Sequence, residues 1–397
     1  MKRFARQCVR LGGSRSNRIA QLQHAQIDRP RHAGTITVGR VRPVALIVTW
    51  NSLGGRHQSR NIVSTSRDLS RLALACRLRY AARMHVRRSA THVEILTPAK
   101  INLFLEVLAK RPDGYHEIVT LLSAVTIYDS LTFTPRRQEE ITLEVRWALG
   151  YSARNAQHDA VTAAAHELLF GDVPTDSENL AWRAANLVRE RAGIRDGGAM
   201  QLVKRIPAAS GLGGASSDAA AALVAANAVW NLNWPRERIL ELASELGSDV
   251  PFFLTSGAAI CRGRGELIEP CRATRLHYIV VRPPIGLSTP RVYQQCRPDE
   301  RPIGVEKMVE SLKLGDATNV GRHLVNSLQP AAASLTPWIA RLQQELRRHA
   351  LLGHQMSGSG SSYFGFCRSA RQARRVASRL RSLRIGTVFQ AETAVAS

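Results

Sequence analysis

The sequence predicts an α+β protein of two domains, and three observations predict it. From Thr91 onward, apolar runs of strand length come first and runs of helical period come later. The chain has 397 residues, enough for two domains with a sizeable core. A Pro-rich, aperiodic stretch, "RPPIGLSTPRVYQQCRPDERP", marks a boundary near 272–300.

The elements follow in order. "HVEILTP" and "INLFLEVLA" alternate or run apolar at strand length, and "HEIVTLLSAVTIYDSLTFTP" and "ITLEVRW" read as further strands. Helices are expected at 178–193, 214–231 and 235–247, the third with Pro235 near its first turn. An additional helix is expected near 158–170. A strand at 199–205 precedes a Gly-Ser segment, and "AAICRG" and "LHYIVV" are strands. Helices near 304–313, 337–349 and 369–382 then alternate with strands at 362–367 and 386–391. The division is a leader over 1–90, one domain over 91–275 and another over 276–397.

The net charge of +24 suggests a polyanion partner until it is located. Residues 1–90 hold Lys2 and eighteen Arg against only Asp28 and Asp68, so most of the excess belongs to the leader. The leader lacks periodicity, and "PVALIVTW" is its one strand-like run. Three readings stay open: a disordered leader or a start assigned too early, with Met84 the natural start; an Arg- and Ser-rich transit peptide; or a basic arm that binds nucleic acid. No run of 18 or more apolar residues predicts a membrane span. The six cysteines are scattered without a CxxC pair, which argues against a zinc site or a disulfide framework and for reduced thiols in the cytoplasm, or in an organelle if the leader is a transit peptide.

"KRIPAASGLGGASSDAAAALVAANAVW", residues 204–230, is a Gly-Ser loop between a strand and an Ala-rich helix. The first turn of a helix has backbone N–H groups without intrahelical partners, and its dipole adds positive potential. Glycine lets that backbone approach an anion, so the arrangement suits phosphate. Ser210, Ser216 and Ser217 add hydroxyls, one of which could ligate a metal travelling with the phosphates, and Lys204 and Arg205 are near enough to add charge. The segment is neither a Walker A loop nor GxGxxG. Geometry alone leaves open a plain Gly-rich turn before a capped helix.

The wording of Pro207 to Ala219 resembles the ATP-binding loop of the GHMP kinase superfamily, the group of the galactose, homoserine, mevalonate and phosphomevalonate kinases. "PAKINLFLEVLAKRPDGYHEI" (98–118) and "MSGSGSSYFG" (356–365) are similar to that superfamily's first and third motifs, in the right order. "RPDGYHEI" followed by "LGSDVPFFL" (246–254) resembles the branch that acts on a cytidine-diphospho alcohol of the non-mevalonate isoprenoid route. The resemblance implies a ribosomal-S5-domain-2-like N-terminal domain, a ferredoxin-like C-terminal domain and an active site between them. It implies an ATP- and Mg²⁺-dependent kinase that phosphorylates the 2-hydroxyl of 4-diphosphocytidyl-2-C-methyl-D-erythritol; homoserine or a mevalonate-like alcohol is the alternative acceptor.

By the same resemblance, Asp249 is the general base and Lys100 its partner. The nucleotide would lie on Pro207, Ala208, Ala209, Ser210, Gly211, Leu212, Gly213, Gly214, Ala215, Ser216 and Ser217, with Asn179 bordering the adenine. Asn102 would contact the acceptor near its reacting end. Tyr115 would stack on the cytosine, His116 would hydrogen-bond its edge, and Tyr293 would complete the sandwich with Thr289 nearby. Ser357, Gly358, Ser359 and Gly360 would close the cleft beside the phosphates. Taken alone, Asp249 is also a solvated Asp before Pro, Lys100 a strand-edge lysine and Asn179 a helix N-cap. Metal ligands are not assigned. The expected partner is a small molecule, with neither nucleic acid nor membrane, and the protein a monomer or weak homodimer. An RNA-binding protein is the remaining alternative, and it leaves the loop, Lys100 and Asp249 unexplained.

Overall fold

The computed structural model describes residues 84–148 and 171–394, apart from 172, 256 and 273, and the backbone of three strands nearer the N-terminus. The chain divides into two units, Met1–Arg79 and Tyr80–Ser397. In the first, Gly34–Val41, Ala45–Ser52 and Ile62–Thr65 pair as an antiparallel sheet. The sequence offered one strand there, and backbone pairing adds two. The rest of the leader and the helix expected near 158–170 lie outside the described residues.

In the second unit β1 (His85–Arg88) pairs with the start of β2 (Val93–Lys110), so ordered pairing begins before Thr91. β2 runs unbroken through "PAKIN", where the sequence suggested two runs. Register shifts at Pro98/Ala99, Asn102/Phe104 and Val107/Ala109 bend it instead of ending it. β3 (His116–Arg136) and β4 (Ile141–Trp147) follow, then α1 (Leu180–Ala192), β5 (Gly197–Lys204), α2 (Gly214–Val229), α3 (Arg236–Leu246) and the single turn α4 (Val250–Phe253). β6 (Ala258–Gly263) and β7 (Leu267–Cys271) complete this half. α2 is buried nearly all round, including Ala219, Ala220, Ala221, Ala222, Ala225 and Ala226. Alanine favours the helix, and its single methyl lets α1 and the sheet approach closely.

The chain changes sheet at β8 (His277–Arg282). Then come α5 (Thr289–Gln295), α6 (Glu306–Leu314), α7 (Ala317–Arg322), β9 (Val325–Asn326), α8 (Gln329–Leu335), α9 (Pro337–Arg347), β10 (Gly353–Met356), β11 (Tyr363–Cys367), α10 (Ala370–Ser382) and β12 (Thr387–Glu392). The first sheet runs β7-β6-β3-β2-β9, with β1 on β2, β5 on β3 and β4 on β5; the second is antiparallel, β10-β11-β8-β12. α5 stands inside the stretch expected to be aperiodic, started by a proline in its first turn. β7, α7, α8, β9 and β10 are short and were not anticipated.

The two sheets share a core. Ile101, Phe104 and Leu121 of the first pack in one cluster with Tyr278, Phe364 and Phe389 of the second. That common core fixes the walls of the cleft relative to each other. Among the described residues, no helix is long and apolar enough to cross a membrane. The four described cysteines, Cys261, Cys271, Cys296 and Cys367, are free thiols.

Candidate active site

A cleft of about 1050 Å³ runs between the halves, floored by β2 and the loop before α2. In that loop Gly211 and Gly213 hold left-handed backbone, with φ of 76° and 71°. A Cβ on Gly211 would collide with the Ser357 carbonyl, and one on Gly213 would fall 2.9 Å from Lys100 Cγ. Only glycine fits either place. Gly213 is the N-cap of α2 and supplies no side-chain cap, and the first intrahelical bond runs from Ser217 N to Gly213 O. The amides of Gly214, Ala215 and Ser216 therefore lack helical partners at the cleft wall.

Part of the expected loop faces elsewhere. Leu212 is buried in the shared core, and its carbonyl accepts from Lys100 N at 2.9 Å. Ser217 is also buried: its Oγ donates to Pro98 O at 2.6 Å and sits 2.5 Å from Thr97 Oγ1, pinning α2 to β2. Ser210 Oγ donates to Pro207 O at 2.6 Å. Of the three hydroxyls proposed as donors, only that of Ser216 has no protein partner among the described residues. Pro207, Ala208, Ala209 and Ser210 do line the cleft.

Lys204 is a correction of a different kind. Its ammonium is buried and bonded to Asp129 Oδ2 at 2.5 Å and Asp218 Oδ2 at 2.6 Å, so its charge is neutralised on the spot. Burial would lower the Lys204 pKa, but the two carboxylates outweigh burial and raise it. Burial pushes Asp218 well above the usual carboxylate range, with Lys204 opposing. Asp129 Oδ1 accepts from the amides of Arg205 and Ile206 at 2.5 and 2.9 Å, which sets the start of the loop. Arg205 reaches back to the Tyr128 carbonyl rather than forward to the cleft.

Lys100 and Asp249 line the same cleft as the amides of Gly214, Ala215 and Ser216. Lys100 Nζ lies 3.5 Å from Asp249 Oδ2, the lysine buried and the carboxylate about one-third exposed. Asp249 is held at the N-terminus of α4 and caps nothing with its side chain. Lys100 also donates to Asn102 Oδ1 at 2.9 Å, so the two residues share a strand face as their spacing predicts. Asn102 Nδ2 donates to Thr120 Oγ1 at 2.9 Å, and Thr120 donates to Phe104 O at 2.6 Å. Sequence reasoning missed Thr120, Asp129 and Asp218; only strand register or helix packing brings them to the site.

The other end of the cleft is aromatic. Tyr115 is 54% exposed, and the Arg264 guanidinium lies 4.8 Å from its ring centroid. His116 and Tyr293 meet at 5.1 Å between ring centroids. Burial, then the charge of Lys110, lowers the His116 pKa. Burial, then Asp249, raises that of the Tyr293 hydroxyl. Thr289 Oγ1 lies 2.8 Å from Ser359 Oγ, joining α5 to the third motif. That motif packs directly on the loop: Ser357 Oγ donates to Gly211 O at 3.0 Å, and Ser362 N donates to Ser210 O at 3.0 Å. Gly358 and Ser359 face the cleft, whereas Ser357 is a buried strut. Asn179 borders the cleft, but its side chain is engaged elsewhere. Oδ1 caps α1 through Ala181 N at 2.8 Å, and Nδ2 donates to Pro174 O at 2.7 Å. It shapes the wall instead of offering a free group.

Comparison with known proteins gives the family. The family profile "GHMP kinases N terminal domain" matches residues 179–257, and "GHMP kinases C terminal" matches 308–384. The 4-diphosphocytidyl-2-C-methyl-D-erythritol kinase of Pelotomaculum thermopropionicum is 40% identical over 294 residues, covering 73% of this chain and 94% of that protein. The chain belongs to this kinase family. A second member of the 4-diphosphocytidyl-2-C-methyl-D-erythritol kinase family, from Thermobifida fusca, is 39% identical over 297 residues, covering 74% of this chain and 92% of its own. A crystal structure of a 4-(cytidine 5'-diphospho)-2C-methyl-D-erythritol kinase superposes with a TM-score of 0.59 at 34% identity, over 75% of this chain and 98% of that one. Homoserine kinase from Cytophaga hutchinsonii shares the fold, with a TM-score of 0.58 at 19% identity, over 78% of this chain and 97% of that one.

Proposed function

We propose that this chain transfers the γ-phosphoryl group of ATP to the 2-hydroxyl of 4-diphosphocytidyl-2-C-methyl-D-erythritol. The observation that carries the reading is the Lys100–Asp249 pair, 3.5 Å apart, in one cleft with the uncapped start of α2. Bound ATP supplies the phosphoryl group, and Mg²⁺ neutralises part of the phosphate charge. The loop suits that cargo, because its two left-handed glycines let it pack against Ser357 and Lys100 while the first-turn residues of α2 stay at the cleft wall. The amides of Gly214, Ala215 and Ser216 hold phosphate oxygens. The Ser216 hydroxyl is the loop's candidate for the ion.

Asp249 takes the proton from the attacking hydroxyl as the new O–P bond forms and ADP departs. Lys100, 3.5 Å away, aims that carboxylate and places positive charge beside the transferring group. Asn102, anchored by Thr120, orients the alcohol. Tyr115, His116 and Tyr293 take the cytosine at the far end.

The test is an ADP-release assay on the purified full chain with 4-diphosphocytidyl-2-C-methyl-D-erythritol, homoserine and mevalonate in parallel, with ³¹P NMR of the product. Turnover should be confined to the cytidine-diphospho alcohol, with a new phosphomonoester signal. Turnover of homoserine or mevalonate alone would end this reading.

A further inference from the structure

The geometry points to Arg264 as the residue that grips the diphosphate of the acceptor, so that this chain discriminates cytidine diphosphates from cytidine itself. The inference rests on the acceptor reading above and adds a specificity determinant to it.

Arg264 lies in the β6–β7 turn, between Gly263 and Gly265, both left-handed with φ of 72° and 110°. The turn bridges the two ends of the acceptor site. On one side the Arg264 guanidinium lies over Tyr115 at 4.8 Å. On the other, a Cβ built on Gly265 would sit 3.9 Å from Asp249 Oδ1 and 3.6 Å from Ser248 Cβ. A ligand with its base on Tyr115 and its hydroxyl at Asp249 must carry its connecting diphosphate across this turn.

The turn backbone cannot neutralise that charge, because its amides are already engaged. Arg264 N donates to Glu266 Oε2 at 2.6 Å, and Gly265 N donates to Arg262 O at 3.0 Å. The side chain must therefore supply it. Its carboxylate neighbours include Glu266, whose Oε1 stands 3.7 Å from Nε, and Asp113, whose carboxyl the Tyr115 amide, then Arg111, then Arg264 itself hold below the usual range. Among the described residues neither makes a hydrogen bond to the terminal NH₂ fork. The other cleft-lining cations differ. Lys100 serves Asp249, and Lys204 is buried between two carboxylates. Lys110, at the end of β2, stands by His116, whose pKa its charge lowers. A planar guanidinium can stack on an aromatic ring and chelate phosphate oxygens with the same fork, which an ammonium cannot.

The experiment is calorimetric titration of the full chain with cytidine and with CDP, for the native protein and for Arg264→Gln, Arg264→Lys and Lys110→Gln. The native protein should bind CDP about 10-fold or more tightly than cytidine, the span of charged hydrogen bonds. Arg264→Gln should erase most of that ratio with cytidine affinity nearly kept, Arg264→Lys should restore part of it, and Lys110→Gln should leave it. In turnover, Arg264→Gln should raise the acceptor KM about 10-fold, with kcat and the KM for ATP unchanged. A CDP preference that survives Arg264→Gln, or one that vanishes with Lys110→Gln instead, overturns the assignment. Failure of the native protein to bind either ligand overturns the acceptor reading, and this inference with it.

Discussion

The two ends of the cleft are built from different material. At the proposed nucleotide end the groups offered to a ligand are backbone amides, and side chains serve mainly to brace them: Ser357 on Gly211, Ser217 on Pro98, Asp129 on Arg205 and Ile206. At the proposed acceptor end the groups facing the cleft are side chains, Tyr115 and Arg264 on turns, His116 at the start of β3 and Tyr293 on α5, all half-buried or exposed. A backbone cradle tolerates almost no change, because a single Cβ at Gly211 would strike the Ser357 carbonyl packed against it. A side-chain rim can change one residue at a time, which suits a fold that takes many acceptors.

Three substitutions would sharpen or break that contrast. Asp249→Asn should have the largest effect, lowering kcat by about 10²–10⁴-fold while ATP still binds. Steady-state turnover beside nucleotide titration checks it, and near-native kcat would remove Asp249 as base. Lys204→Met acts on the brace alone. It leaves two buried carboxylates facing each other, so stability should fall by about 3–5 kcal/mol in urea unfolding. An unchanged midpoint would mean the buried trio does not hold the loop. Tyr115→Ala should cost least, about 1–3 kcal/mol of base stacking. It would appear as a raised acceptor KM with kcat and thermal midpoint retained; a loss of stability instead would make Tyr115 structural.

The contrast also explains which parts of the site were legible in the sequence. The nucleotide end was readable because a backbone cradle demands particular residue types in a row, and Gly211, Gly213 and the Ala-rich run that follows are such a demand. Even so, the row did not say which side chains face the ligand. Leu212 and Ser217 stand in the motif and point into the core, since α2 must bury a face against β2. Lys204 looked like a phosphate lysine, yet Asp129, far away in sequence, claims it. Tyr115 and His116 were named through resemblance; their environment, with Arg264 over one ring and Tyr293 beside the other, depends on turns that sequence pattern leaves blank.

By itself the sequence determined the longer strands and helices, the position of the Gly-Ser loop and the family, because hydrophobic period and glycine spacing are local properties. The resemblance named Lys100 with Asp249; tertiary structure alone decided their 3.5 Å approach, that Thr120 holds Asn102, and that two sheets share one core around the cleft. Those contacts join residues far apart in sequence, 149 positions for Lys100 with Asp249 and more across the shared core. They are set by strand register and helix packing, which no local pattern encodes.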